Sequence, residues 1–232
     1  MSGSTVAKAI AVVAIPIIAA VGYAKYVRPK QLRWGSDDAE VSAVLPGDAL
    51  VSQPKMQTTR AVTIRATPAE VWPWLVQIGY GRAGFYSYDQ SEKAVGADPE
   101  RSRRILPEFQ NLQVGDVIPW GENNDGIPVR MLERESVLSL GGTVDASTGK
   151  FVAAAAPRPE RTVEVSWTFV LKPVGDTSTR LITRTRVAYD SPAIGAAVRA
   201  LLEPGQYLME RKMLLGIKER VERYHARSGA TS

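Results

Sequence analysis

Arg60-Ala61-Val62-Thr63-Ile64-Arg65-Ala66-Thr67-Pro68-Ala69-Glu70-Val71-Trp72-Pro73-Trp74-Leu75-Val76-Gln77-Ile78-Gly79 changes its periodicity once, and that change decides the fold class. Residues 60–66 alternate as a strand does. Thr67-Pro68-Ala69-Glu70 then offers an N-cap hydroxyl, a proline suited to the first helical position and a capping-box glutamate. The helix is expected to reach Ile78, kinked where Pro73 removes a backbone hydrogen bond. Gly79 ends it.

Downstream, a loop-rich stretch is expected to hold short helices near 86–93 and 98–104. From residue 114 the pattern turns to strands: Val114–Trp120, Ile127–Glu133, Ser136–Leu140 and Lys150–Ala155, separated by glycine-bearing turns, then the longer Thr162–Leu171 and Arg180–Tyr189. Ser191-Pro192 can open a short amphipathic helix with Ile194, Val198, Leu201 and Leu202 on one side, and Glu203-Pro204-Gly205 should separate it from the final helix. That helix, Gly205–Arg223, lines up Met213, Leu214, Ile217, Val221 and Tyr224 on one face. A strand, a helix, several sequence-adjacent strands and a long helix predict an α+β fold, an antiparallel meander around a C-terminal helix. Gly79-Tyr80-Gly81-Arg82-Ala83-Gly84 matches a dinucleotide-binding string, but it follows a helix rather than a strand and reads as a loop.

The composition, 44% hydrophobic and 23% charged over 232 residues, suits one domain with a sizeable core. Cysteine is absent and His225 is the single histidine. Thiol nucleophiles, disulfide scaffolds, iron–sulfur clusters and Cys/His zinc sites are thereby excluded, and a Ser-His-Asp triad is left only a histidine in a helix tail. No metal and no cofactor are expected. The net charge of +5 belongs to the N-terminus: residues 1–34 hold Lys8, Lys25, Arg28, Lys30 and Arg33 and no acid, leaving 24 of the 29 bases against all 24 acids. A nucleic-acid partner is therefore not expected.

Residues 9–24 carry no charge and lie between Lys8 and Lys25, which can snorkel, while Tyr23 and Tyr26 fall where interfacial aromatics sit. A cleaved signal peptide and a buried core helix are the competing readings. A single-pass transmembrane anchor, with membrane contact through residues 9–27, explains both the apolar run and its basic flank. The bases on its C-terminal side put the domain on the cytoplasmic side. Residues 1–30 are thus read as the anchor, 31–55 as a linker, 56–226 as a ligand-binding domain and 227–232 as a disordered tail.

The last strand puts Thr183, Thr185 and Tyr189 on one face and Arg184 and Arg186 on the other. Arginines facing water turn the threonines inward, which points to a partly wet cavity; threonines satisfied near a sheet edge are the alternative. Trp167 and Phe169 supply apolar lining from the preceding strand, with Trp120 a further candidate. Glu133 shares the phase of Val129 and Met131, and is read either as an inward acid–base group or as solvent-exposed. Tyr80, Tyr86, Tyr88 and Asp89 cluster beyond the first helix, either to bind a polar group or simply to cover the helix end. Met209 and Met213 lie one turn apart and can adapt to a flexible ligand or pack the core.

Residues 63–75 resemble the opening strand and helix of SRPBCC (START-like, polyketide-cyclase/dehydrase-like) proteins. Gly79-Tyr80-Gly81-Arg82-Ala83-Gly84-Phe85-Tyr86-Ser87-Tyr88-Asp89, Ile105-Leu106-Pro107-Glu108-Phe109, Val114-Gly115-Asp116-Val117-Ile118-Pro119 and residues 209–218 resemble a bacterial, membrane-anchored branch of them. The similarity spans about residues 56–225. It implies a helix-grip fold, a curved antiparallel sheet around a long C-terminal helix with a hydrophobic cavity between. No catalytic motif comes with it. The expected function is a membrane-anchored binding module for an apolar small molecule, such as a lipid or an isoprenoid- or polyketide-like compound. The alternative is a cyclase or dehydratase using Tyr and Asp/Glu groups in that cavity.

Overall fold

The computed structural model describes residues 21–87, 101–121, 125–153 and 155–229. Six antiparallel strands form one sheet: β1 (Met56–Ile64), β2 (Val117–Pro119), β3 (Gly126–Glu133), β4 (Val137–Asp145), β5 (Thr162–Val174) and β6 (Ser178–Tyr189), in the spatial order β1-β6-β5-β4-β3-β2. The meander from β2 to β6 follows the chain, and β1 closes onto β6 with Met56 opposite Val187 and Ile64 opposite Thr179. The expected strand at 150–155 does not form. Phe151 makes only an isolated bridge to Val144.

Three short helices precede or follow β1: α1 (Arg28–Leu32), α2 (Asp38–Ser42) and α3 (Pro68–Val76). α3 opens on the expected capping box, with Thr67 and Glu70 satisfying each other's backbone N–H groups, and it carries Pro73 inside. After β6 the chain is helical without a break: α4 (Pro192–Ala197), a π turn (Val198–Leu202) and α5 (Glu203–Gly229). Pro204 was expected to separate two helices. Instead the wide turn ahead of it accommodates a residue that lacks an N–H and crowds the carbonyl four residues back. The extra residue per turn also splits the expected stripe. Val198 is buried with Met56 and Val187 and Ile194 packs on them, whereas Leu201 and Leu202 face outward. α5 continues past residue 226, so at least residues 227–229 are helical rather than a disordered tail.

One face of the sheet receives α3 and α5. Val62 and Ile64 of β1, Leu138 and Leu140 of β4, Trp167, Phe169 and Leu171 of β5 and Leu181 of β6 pack there against Trp74 and Leu75 of α3 and Met213, Leu214, Ile217 and Val221 of α5. The opposite face is covered as well, by residues 33–52, which were expected to be a linker. Arg184 is 2% exposed and spends its guanidinium on the carbonyls of Glu40, Val41 and Ala43, the Asp48 carboxylate and the Thr59 hydroxyl. Arg180 grips Glu40 through two hydrogen bonds of 2.7 and 2.8 Å, and Arg186 bonds the carbonyl of Asp48. Gly47 is required here. Its φ is +84°, and a Cβ would sit 2.3 Å from Ser139 Oγ and 2.4 Å from Thr168 Oγ1, which bond each other on β4 and β5. The same segment blunts the β1 edge, since Ala61 N donates to Trp34 O and Ser36 Oγ to Thr59 O.

Among the described residues no helix is long and apolar enough to cross a membrane. Residues 9–20 of the expected anchor lie outside them, and residues 23–27 form a π-helical turn leading into α1.

Hydrogen bonds from Arg180 hold the Glu40 carboxyl below the ordinary glutamate value, outweighing its burial. A carboxyl lowered on folding stabilises fully above its unfolded pKa and loses that contribution as pH falls through the folded one. The urea midpoint should therefore decline as pH drops below about 4.3. Glu40→Gln should remove that part of the decline; equal acid slopes in both proteins would show that the pair does not hold the layer.

Candidate functional site

At the centre of the interface between the sheet and α5 lies a charged pair. Arg60, projecting from β1, and Glu210, projecting from α5, are both 0% exposed and are joined through Arg60 Nη1 and Glu210 Oε2. The other carboxylate oxygen, Oε1, accepts from Trp167 Nε1 at 2.7 Å and from the Thr183 hydroxyl at 2.8 Å. Arg60 Nε donates to the carbonyl of Gln31 at 2.9 Å, and its guanidinium lies 5.6 Å from the centre of the Tyr207 ring. Next along the helix, Gln206 Nε2 donates to Thr185 Oγ1 at 2.6 Å.

Two atoms of this cluster are not satisfied. Among the described residues, Arg60 Nη2 and Gln206 Oε1 are buried without a hydrogen-bond partner, one a donor and the other an acceptor. Leaving such a group unmade costs about 1–3 kcal/mol, and more when it is charged. The rest of this interface is apolar: Trp167 packs on Phe169 with centroids 4.8 Å apart and stacks with Phe85 at 6.4 Å, while Met213 is buried and Met209 half-buried in the same core.

Of the residues singled out by sequence, the structure brings Trp167, Phe169, Thr183, Thr185, Met209 and Met213 to this one interface. The threonines do face inward, but each meets a polar side chain of α5. Tyr86 is buried nearby and serves α3: its hydroxyl donates to Trp74 O at 3.0 Å and accepts from Gln77 Nε2 at 2.8 Å. α5 presses close to it, since a Cβ at Gly216 would lie 2.3 Å from Tyr86 O. Tyr80 is half-buried on the turn closed by Gly79 and Gly84 and stands outside the core cluster. Trp120 is 43% exposed against Phe151, and Tyr189 belongs to the separate cluster under α4.

Glu133 is exposed. A β-bulge between Val129 and Met131 reverses the phase, so that Val129 faces Leu140 while Met131 faces Ser139. Tyr88 and Asp89 lie outside the described residues. His225 sits at the surface, 2.5 Å from Glu70 Oε1. A groove of about 400 Å³ opens on the other side of the sheet, beside Leu50, Thr143 and Glu164, and none of the sequence-derived candidates lines it.

Arg60, Glu210 and Gln206 were missed, although a signal existed. Arg60 lies two residues before Val62 and four before Ile64, in the inward phase of its strand. Glu210 precedes Met213, Leu214 and Ile217 by three, four and seven residues, on the apolar stripe of its helix. Opposite charges on the two apolar faces that must meet are a predictable buried pair.

Glu210→Ala should destabilise by about 3–5 kcal/mol, because it strands the Arg60 charge in the core. The double substitution Arg60→Met with Glu210→Leu should recover most of that loss in denaturant unfolding. A double variant no more stable than Glu210→Ala would mean that geometry rather than charge sets the cost.

No family model matches the chain, and no curated protein matches it. Solved structures with a similar outline include a Mesorhizobium loti protein (13% identity, TM-score 0.42, 72% of this chain and 98% of that one). The Aha1 dimer of Colwellia psychrerythraea matches at 15% identity and a TM-score of 0.40, over 72% of this chain and 96% of that one. BexL, a di-domain ARO/CYC protein of the BE-7585A biosynthetic pathway, matches at 15% and 0.40, over 72% of this chain and 47% of that one. At this level of similarity they assign neither a family nor an activity.

Proposed function

We propose that the chain is a membrane-anchored binding module for a hydrophobic small molecule, a lipid or an isoprenoid- or polyketide-like compound, held between the sheet and α5. The observation that carries this reading is the pair of unsatisfied buried atoms, Arg60 Nη2 and Gln206 Oε1, on a sheet–α5 interface whose core members are otherwise aromatic, aliphatic and methionine side chains. A ligand with an apolar body and one hydroxyl or carbonyl group suits that combination, since its body packs on apolar side chains and its polar group completes the cluster. The anchor reading is supported by the uncharged run at residues 9–24 and the bases that follow it, which favour a cytoplasmic domain. Among the described candidates for catalysis, the Tyr86 hydroxyl is committed to Trp74 and Gln77, and Glu133 is exposed.

Native mass spectrometry of the full chain from its own host, in detergent, tests the binding reading. A co-purifying apolar compound, released chemically unchanged, is expected. It should be lost several-fold in the Arg60→Met, Glu210→Leu double variant. Retention by that variant would remove the polar cluster from the site, and conversion of the compound on incubation would identify an enzyme. Deleting residues 1–20 tests the anchor, and leaves in place the Arg28–Glu203 bond that a cut at residue 30 would remove. The shortened protein should leave the membrane fraction in a high-salt wash and keep its melting temperature.

A further inference from the structure

The N-terminal segment and the start of α5 are bolted side by side. Arg28 donates to both oxygens of Glu203, at 2.7 and 3.0 Å, and Glu203 is only 3% exposed. The flanking side chains do the opposite. On one side of the bond Val21, Tyr26 and Val27 are 59%, 63% and 43% exposed; on the other, Leu201, Leu202 and Leu208 are 76%, 53% and 54% exposed. Half of the large hydrophobic side chains exposed among the described residues thus lie within seven positions of Arg28 or Glu203 in the sequence. Apolar side chains exposed in such numbers on two segments tied by one ion pair mark a contact surface.

The charges name the partner. Residues 21–34 and 191–202 contain Lys25, Arg28, Lys30, Arg33 and Arg199 and no acid. Lys25, Lys30 and Arg199 are exposed. The nearest acids along the chain are Asp190 and Glu203, the second buried against Arg28. An apolar surface rimmed by bases is the chemistry of the interface of an anionic bilayer, where apolar side chains enter the headgroup boundary and lysines and arginines meet lipid phosphates. The uncharged run of residues 9–20 joins the chain at Val21, on this same surface.

We infer that Leu201, Leu202 and Leu208 form a second membrane contact, continuing that of Val21, Tyr26 and Val27, by which the domain lies with the turn at Val198–Leu202 against an anionic bilayer. This rests on the reading of residues 9–27 as membrane-bound and adds to it a fixed orientation of the domain. The hairpin at Val174 then points away from the lipid. It stands at the opposite end of β6 from Tyr189, roughly 36 Å away at about 3.3 Å per residue.

Because the chain has no cysteine, a single environment-sensitive fluorophore can be placed on the full-length protein at Leu202→Cys, with Val174→Cys as the comparison. Both positions are exposed, so neither label disturbs the core. The probes are vesicles of phosphatidylcholine with phosphatidylglycerol. With both proteins floating with the vesicles, the label at 202 should shift to the blue and be quenched by iodide several-fold less than the label at 174. Equal quenching in floating protein overturns the second contact and leaves the anchor standing. Failure of the protein to float overturns both. Blue shift at 202 in phosphatidylcholine alone, unchanged by phosphatidylglycerol, would overturn the part assigned to the bases.

Discussion

The Arg60–Glu210 pair is the constraint around which the interior is arranged. Two opposite charges at 0% exposure cannot be separated without leaving one of them stranded in the core, at several times the cost of an ordinary lost contact. Strand β1 and helix α5 can therefore meet in only one register. Trp167 and Thr183 follow from it, because a carboxylate with one oxygen on arginine still needs donors for the other. That requirement explains a threonine on β6 and an indole N–H on β5, where a dry core would favour aliphatic side chains. A carboxylate engaged on both oxygens is a positioned acceptor.

The backbone of this architecture was legible from local signals, and the departures have physical causes. The period change at Thr67 and the capping box located α3 correctly because both act within one helical turn. The inward face of β6 was also read correctly, but for a mistaken reason: alternation says which residues share a face, not what covers it. Arg184 and Arg186 turned out to face protein rather than water, because residues 33–52 fold over them with no periodicity of their own. Of the two readings of Glu133 the exposed one holds, because a bulge with no sequence mark breaks the inward phase, and the expected helix break at Pro204 is absent because a π turn absorbs the proline. The charged pair was missed because strand and helix were each read for their apolar members alone.

The covering layer has a logic of its own. Its carbonyls at Glu40, Val41 and Ala43 converge on one guanidinium, which is possible because they close the short helix α2, whose last carbonyls have no partner within the helix. Arginine suits this role because its planar fork presents five donors in fixed directions. The layer thereby folds by hydrogen bonding onto the sheet more than by burial, and only Leu45, Ala61, Val170 and Ile182 form a small apolar cluster beneath it.

The two sides of the sheet are connected through Gln31. Its carbonyl accepts from Arg60 Nε, so the N-terminal segment contributes directly to the cluster on the face of α5. A guanidinium held at Nε by Gln31 and at Nη1 by Glu210 has no rotational freedom left, and the direction of Nη2 is fixed by those two bonds. Gln31 is itself held by the Tyr23 hydroxyl at 2.9 Å, and α1 is held by Arg28 on Glu203. The orientation of the unsatisfied donor Arg60 Nη2 is therefore set by the segment that leads in from the N-terminus as much as by the sheet that carries Arg60.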